Sequence, residues 1–280
     1  MPRPIAFITG ASSGIGAAMA TVLAEAGHDL VLVARRADRL AALAERLSDA
    51  GASSETLTVD LSEKAGLKRA VERAAAGDID VLVSNAGVSA YGPFAEIDPG
   101  ELDRAWTLNA DVTPVLARAA LPGMLGRGRG GIISVASNLA FSAGADQPPG
   151  TNSSSGTPGT SATLPQRALY VGAKAGTMAF TRVLASELHG TGVQATVVCP
   201  GLVSTEWNGG KSQGPRAMTA EDVAQAGWAG FSLGEVVCLP GLEDEQLVEQ
   251  FTGIERRIMG ENLGSELATR YRNQEASASE

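Results

Sequence analysis

Short apolar runs and longer amphipathic stretches take turns along the chain. The runs cover residues 5–9, 29–34, 55–59, 80–84, 132–137, 193–199 and 235–239. Apolar residues in unbroken succession suit strands buried on both faces. Between the runs, apolar residues recur at helical period: from the first run through residue 26, then over 37–50, 62–76, 98–125, 168–187, 219–229 and 243–259. This regular alternation predicts a single α/β domain, a doubly wound, seven-stranded, mainly parallel sheet with helices on both faces. Asn109 falls near the middle of the longest stretch, and Pro114 is expected to bend that helix. Thr219, followed by Glu221 and Asp222, reads as a helix cap with acid in the first turn. Residues 144–162 break the rhythm: rich in Gly, Ser, Thr and Pro, they read as a flexible loop. Residues 208–216 are polar and glycine-rich, as a lid-like loop would be. The tail over 274–280 is expected to fray, which leaves 1–273 as the domain.

The first run leads into Gly10-Ala11-Ser12-Ser13-Gly14-Ile15-Gly16 and then a helix. Strand, glycine turn, helix is the layout of a Rossmann-type phosphate loop. Glycines let backbone approach a pyrophosphate, and the helix N-terminus supplies N–H donors and a positive dipole end. The chain has 34 glycines, so the pattern alone could be a tight turn, and its position is what gives it weight. The second run ends in Ala34, where dinucleotide folds that prefer NAD place an acid, and Arg35 and Arg36 follow. Two guanidiniums there suit a 2′-phosphate and predict NADP(H), against the plain reading that they begin a solvated helix.

Tyr170 and Lys174 stand four apart in the 168–187 stretch, on one helical face. A cation beside a phenol favours phenolate, so the Tyr170 pKa is expected to fall toward neutrality and suit a general acid/base. His28 and His189 sit at turn-like helix ends and read as surface residues. Cys199 and Cys238 lie in apolar runs and read as reduced core residues, too few for a disulfide framework or a zinc cluster.

The formal net charge of −9 over 280 residues argues against a nucleic-acid partner, and no run of apolar residues would span a bilayer. The N-terminus lacks a signal-peptide profile, so a cytoplasmic location is expected. Without secretion, the sequon Asn152-Ser153-Ser154 carries no meaning.

An ordered set of motifs now gathers: Thr9-Gly10-Ala11-Ser12-Ser13-Gly14-Ile15-Gly16, Asn85-Ala86-Gly87, Asn109, Ser137, Tyr170 with Lys174, and Pro200-Gly201 with Thr205. With it, nearly the whole chain resembles the short-chain dehydrogenase/reductase family. The resemblance implies a hydride-transferring enzyme in which the cofactor carries the hydride and the protein supplies orientation and protons. Tyr170 would exchange the proton with the substrate oxygen, and Ser137 would hydrogen-bond that oxygen as charge develops. Lys174 would tune Tyr170 and hold the nicotinamide ribose, and Asn109 would help hold a relay water. It also implies cofactor contacts from Gly10, Ser12, Ser13, Gly14, Ile15, Gly16, Arg35, Arg36, Asp60, Leu61, Asn85, Ala86, Gly87, Pro200, Gly201, Val203 and Thr205, besides Tyr170 and Lys174.

The substrate pocket is expected from Val88, Tyr91, Ser137, Leu139, Ala140, Leu202, Val203 and Trp207, with no fixed cation near Ser137. That composition suits a hydrophobic ketone, aldehyde or secondary alcohol. The family separates its Ser and Tyr by about a dozen residues, whereas 32 lie between Ser137 and Tyr170, an excess that can loop out at little entropic cost. A homodimer or homotetramer is implied. Two rival readings are a non-catalytic NADP-binding sensor and another reaction on the same scaffold, such as epimerisation or dehydration.

Overall fold

In the computed structural model, residues 2–142, 167–206 and 217–272 are described. The expected insertion, the lid-like loop, Trp207, the sequon and the tail lie outside them. The chain divides into two compact units, Met1–Gly241 and Leu242–Glu280.

The first unit is built on the strands β1 (Ile5–Thr9), β2 (Asp29–Ala34), β3 (Ser54–Thr58), β4 (Ile79–Ser84), β5 (Gly130–Val135) and β6 (Val193–Val198). Two short strands, β7 (Val203–Ser204) and β8 (Met218–Thr219), pair only with each other, and β9 (Val237–Cys238) completes the main sheet. Seven strands run parallel in the order β3-β2-β1-β4-β5-β6-β9. Alternate residues of each strand feed opposite faces, as the strand period of two requires. Ala6, Ile8, Leu30 and Leu32 pack beneath α1 (Gly14–Glu25), α2 (Ala37–Asp49) and α7 (Ala220–Leu233). Phe7, Val31, Val33 and Leu82 pack beneath α3 (Lys64–Ala74), α5 (Val112–Arg127) and α6 (Ala168–Glu187). The doubly wound sheet expected from the apolar runs is therefore present.

The stretch expected as one helix over 98–125 is two helices, α4 (Pro99–Trp106) and α5, joined by a π-helical turn at Thr107–Asp111. Pro114 lies just after that turn, in the first turn of α5, and has no N–H to give to the carbonyl four residues back, so the expected irregularity falls at the turn before it. The break sits at Asn109, whose side-chain Nδ2 donates to the Ala105 carbonyl at 3.0 Å, in the place of a backbone donor. At α7 the expected cap forms as a reciprocal box: Asp222 N–H donates to Thr219 Oγ1 at 3.0 Å, and Thr219 N–H to Asp222 Oδ2 at 3.4 Å.

His28 is not a surface residue. It is buried in the turn after α1, its ring edge-on to Trp228 of α7 at 5.4 Å, with Nδ1 bonded to the Leu23 carbonyl. Burial holds its pKa below the ordinary value. Cys199 and Cys238 are free and buried, and burial pushes their thiols up to about 12 and about 11, so both stay protonated. The second unit contains the amphipathic helix α8 (Gln246–Glu261) and the short α9 (Thr269–Arg272). Among the described residues, no helix is long and apolar enough to cross a membrane.

Candidate active site

In an open parallel sheet, ligands bind beyond the carboxyl ends of the strands where the strand order reverses. Here the order reverses between β1 and β4, and a cleft of about 610 Å³ opens there.

One end of the cleft is the glycine turn. Gly10 and Gly14 have φ of +69° and +53°, in the left-handed region that side chains disfavour. Gly16 is fixed by contact: a Cβ there would stand 2.3 Å from the Gly10 carbonyl oxygen. Thr9 locks the turn to the end of β4. Its Oγ1 accepts from the N–H groups of Asn85 (2.9 Å) and Ala86 (3.0 Å), and Asn85 Nδ2 donates back to the Thr9 carbonyl. The α1 N-terminus has no side-chain cap at Ser13 and no acid in its first turn. Its N–H groups and dipole therefore suit an anion, and the residues present fit a dinucleotide.

Beyond the turn, Arg36 donates from Nε and Nη2 to Ser12 Oγ and from Nη2 to Ser13 Oγ at 2.6 Å. Arg35 lines the cleft beside it, 3.5 Å from Asp60. Arg36 and Arg39 both meet Glu206. The sequence reading missed Arg39 and Glu206. Arg39 lies three positions after Arg36, near enough along the helix to share a face, but nothing marked Glu206, 170 residues away.

At the other end Ser137, Tyr170 and Lys174 converge, each buried. Ser137 follows β5, and its side chain hydrogen-bonds Tyr170 while its Oγ accepts from Leu139 N–H at 3.2 Å. Lys174 Nζ donates to the Val135 carbonyl at 2.9 Å and stands 5.8 Å from the Tyr170 ring centroid. The expected acidification of Tyr170 by Lys174 is absent. Burial and the neighbouring Tyr91 push the phenol above its usual value, against smaller downward pulls from Ser137 and Arg167. Burial also pushes Lys174 down to about 8. Tyr170 and Lys174 share a helical face, but the phenol is shut off from the water a phenolate would need and the ammonium is turned toward β5.

Asn109 is buried behind the cleft wall. It exchanges hydrogen bonds with the Val88 backbone and accepts from Thr177 Oγ1 through its own carbonyl, so it holds the strand-end segment to the π-helical turn. Leu61, Gly87, Val88, Leu139, Pro200, Gly201, Leu202, Val203 and Thr205 line the cleft as expected. Ala140 does not. It is buried with Met178 and Val197. Tyr91 lies edge-on to Tyr170 at 5.3 Å, and the Arg167 guanidinium sits 4.9 Å above the Tyr91 ring. Arg167 also lines the cleft, contrary to the expectation of no fixed cation near Ser137.

A family model described as short chain dehydrogenase matches residues 4–157 and 151–216. The chain belongs to that family. This short-chain dehydrogenase is 34% identical over 206 residues to a short chain dehydrogenase of Pseudocercospora fijiensis, covering 72% of this chain and 60% of that relative, less than two thirds of its length. A short-chain dehydrogenase from Sphingobium yanoikuyae, solved in complex with NADPH, superposes with a TM-score of 0.84 at 31% identity, over 96% of this chain and 99% of that one. A bulky-bulky ketone specific alcohol dehydrogenase from Comamonas testosteroni superposes with a TM-score of 0.82 at 27% identity, over 96% and 98%.

Proposed function

We propose that this short-chain dehydrogenase is an NADP(H)-dependent oxidoreductase that interconverts a hydrophobic ketone or aldehyde and its alcohol. One observation carries the reading: a buried, hydrogen-bonded Ser137–Tyr170 pair faces a cleft whose other end is a glycine turn flanked by arginines. The NADPH in the Sphingobium relative and the ketone specificity of the Comamonas relative support it.

The nicotinamide cofactor supplies or takes the hydride, and the chain does the rest. Gly10, Ser12, Ser13, Gly14, Ile15 and Gly16 would cradle the pyrophosphate, with Arg35 and Arg36 at the 2′-phosphate and Arg39 beside Arg36. Asp60, Leu61 and the Asn85–Gly87 backbone would line the adenosine side, and Pro200, Gly201, Val203 and Thr205 the nicotinamide side. Tyr170 Oη gives its proton to the carbonyl oxygen in reduction and takes it back in oxidation, while Ser137 Oγ donates to the same oxygen as it gains charge. Lys174, at about 8, is poised to pass the replacement proton inward. Val88, Tyr91, Leu139 and Leu202 supply the apolar wall that orients the substrate and excludes water. A cofactor sensor without chemistry would have no use for a buried serine–tyrosine pair. A homodimer or homotetramer in the cytoplasm completes the proposal. The test is a panel of ketones and oxo-acids assayed with NADPH. Turnover of bulky ketones is expected, and a preference for small anionic oxo-acids would overturn the substrate class.

A further inference from the structure

Arg36 and Arg39 form a seat for an anion, and the structure shows which anion fills it. Arg36 Nη1 donates to Glu206 Oε2 at 3.1 Å, and Arg39 Nη1 to Glu206 Oε1 and Oε2 at 2.7 and 2.6 Å. Ser12 and Ser13 hold the Arg36 guanidinium from the other side. Two guanidiniums on one carboxylate pull its pKa below the ordinary range. Glu206 arrives from the far side of the cleft. It follows β7, which pairs with β8; Met218 N–H of β8 donates to the carbonyl of Leu202, just before β7, at 2.9 Å. Its neighbour Thr205 lies against the glycine turn, with Cγ2 3.1 Å from where a Gly14 Cβ would stand. Residues 203–206 thus reach from the catalytic half of the cleft to its phosphate end.

We propose that Glu206 is an exchangeable anion in the 2′-phosphate seat and sets the selectivity between NADP(H) and NAD(H). The inference rests on the NADP(H) reading above. A phosphate and a carboxylate cannot share one pair of guanidiniums without like-charge repulsion, so a 2′-phosphate displaces Glu206. A bare 2′-hydroxyl does not. It leaves the carboxylate in place and finds in it an acceptor, the one that Ala34 at the end of β2 fails to provide. Exposure suits such an exchange: the arginines are each 41% exposed and Glu206 55%, and ionic contacts in water are remade at little cost. The wild type therefore discriminates between the two cofactors less sharply than a free arginine pair would.

The test is a binding titration of the wild type, Glu206→Gln and Arg39→Ala with NADPH, NADH and adenosine 2′,5′-bisphosphate, followed by fluorescence or calorimetry. Glu206→Gln is expected to bind NADPH and the bisphosphate about tenfold more tightly, and NADH more weakly. Arg39→Ala is expected to lose about tenfold for the two phosphate-bearing ligands and nothing for NADH. Unchanged or weaker NADPH binding in Glu206→Gln overturns the exchange and leaves Glu206 as a support for the arginines. Tighter binding of NADH than of NADPH in both wild type and Glu206→Gln overturns the NADP(H) reading itself, a distinct result.

Discussion

At the phosphate end of the cleft, Arg36, Arg39 and Glu206 stand about half in water and find each other by charge. At the catalytic end, Ser137, Tyr170 and Lys174 are nearly out of water, and burial sets the proton affinity of the last two. In the function proposed above, the contrast divides the labour. Charges in water are cheap to exchange, so they suit the choice of cofactor and should respond to salt. Groups removed from water have proton affinities fixed by the fold, so they suit the proton transfer.

The sharpest way to break this division is to disable one end and watch the other. Tyr170→Phe should cut turnover by about 10²–10⁴-fold, the range for a positioned acid/base, with a far smaller fall in NADPH affinity. An NADPH affinity that falls as far as turnover would mean that the catalytic end serves binding rather than proton transfer. Arg36→Ala removes the bonds to Ser12, Ser13 and Glu206 together. It should weaken NADPH by roughly tenfold to a hundredfold, as for loss of a charge-assisted contact, and leave NADH far less affected. Raising the salt concentration should shrink that difference.

A smaller effect probes burial beside the catalytic end. The Cys199 thiol is raised from 9.0 to about 12, so above pH 9 the unfolded chain releases a proton that the folded chain keeps. Stability is then lost as pH rises from 9 toward 12, by at most about 1.4 kcal/mol per pH unit from this group. Chemical denaturation across that window should show a shallower loss for Cys199→Ala; an equal slope would remove burial as the cause. Smallest is Thr219→Ala, which opens the capping box of α7 beside β8. It should cost about 1 kcal/mol of stability with turnover kept. A loss of turnover at full stability would show that this cap controls the catalytic end directly.

The parts legible in the sequence are those set by local pattern. Val31 and Leu32 alternate between two cores because a buried strand must feed both faces. Thr219 and Asp222 sit three apart, as a capping box requires. Ser137 and Tyr170 meet as the family resemblance implied, although 32 residues lie between them. What escaped the sequence depends on neighbours far along the chain. His28 looks like a turn residue until Trp228 closes over it. At the π-helical turn the Asn109 amide bonds both Val88 and Ala105, which no periodicity reveals. Glu206 meets Arg39 only because β7 folds over the glycine turn. The Tyr170 pKa ran opposite to expectation because spacing gives proximity but not solvent exposure.

The most direct test of the central claim is isotope transfer from NADPH deuterated at the reactive carbon to a bulky ketone, read by mass spectrometry of the alcohol formed. The account expects deuterium on the carbinol carbon with the wild type and almost none with Tyr170→Phe at saturating cofactor. Cofactor binding without transfer, or equal transfer by the two proteins, would contradict it.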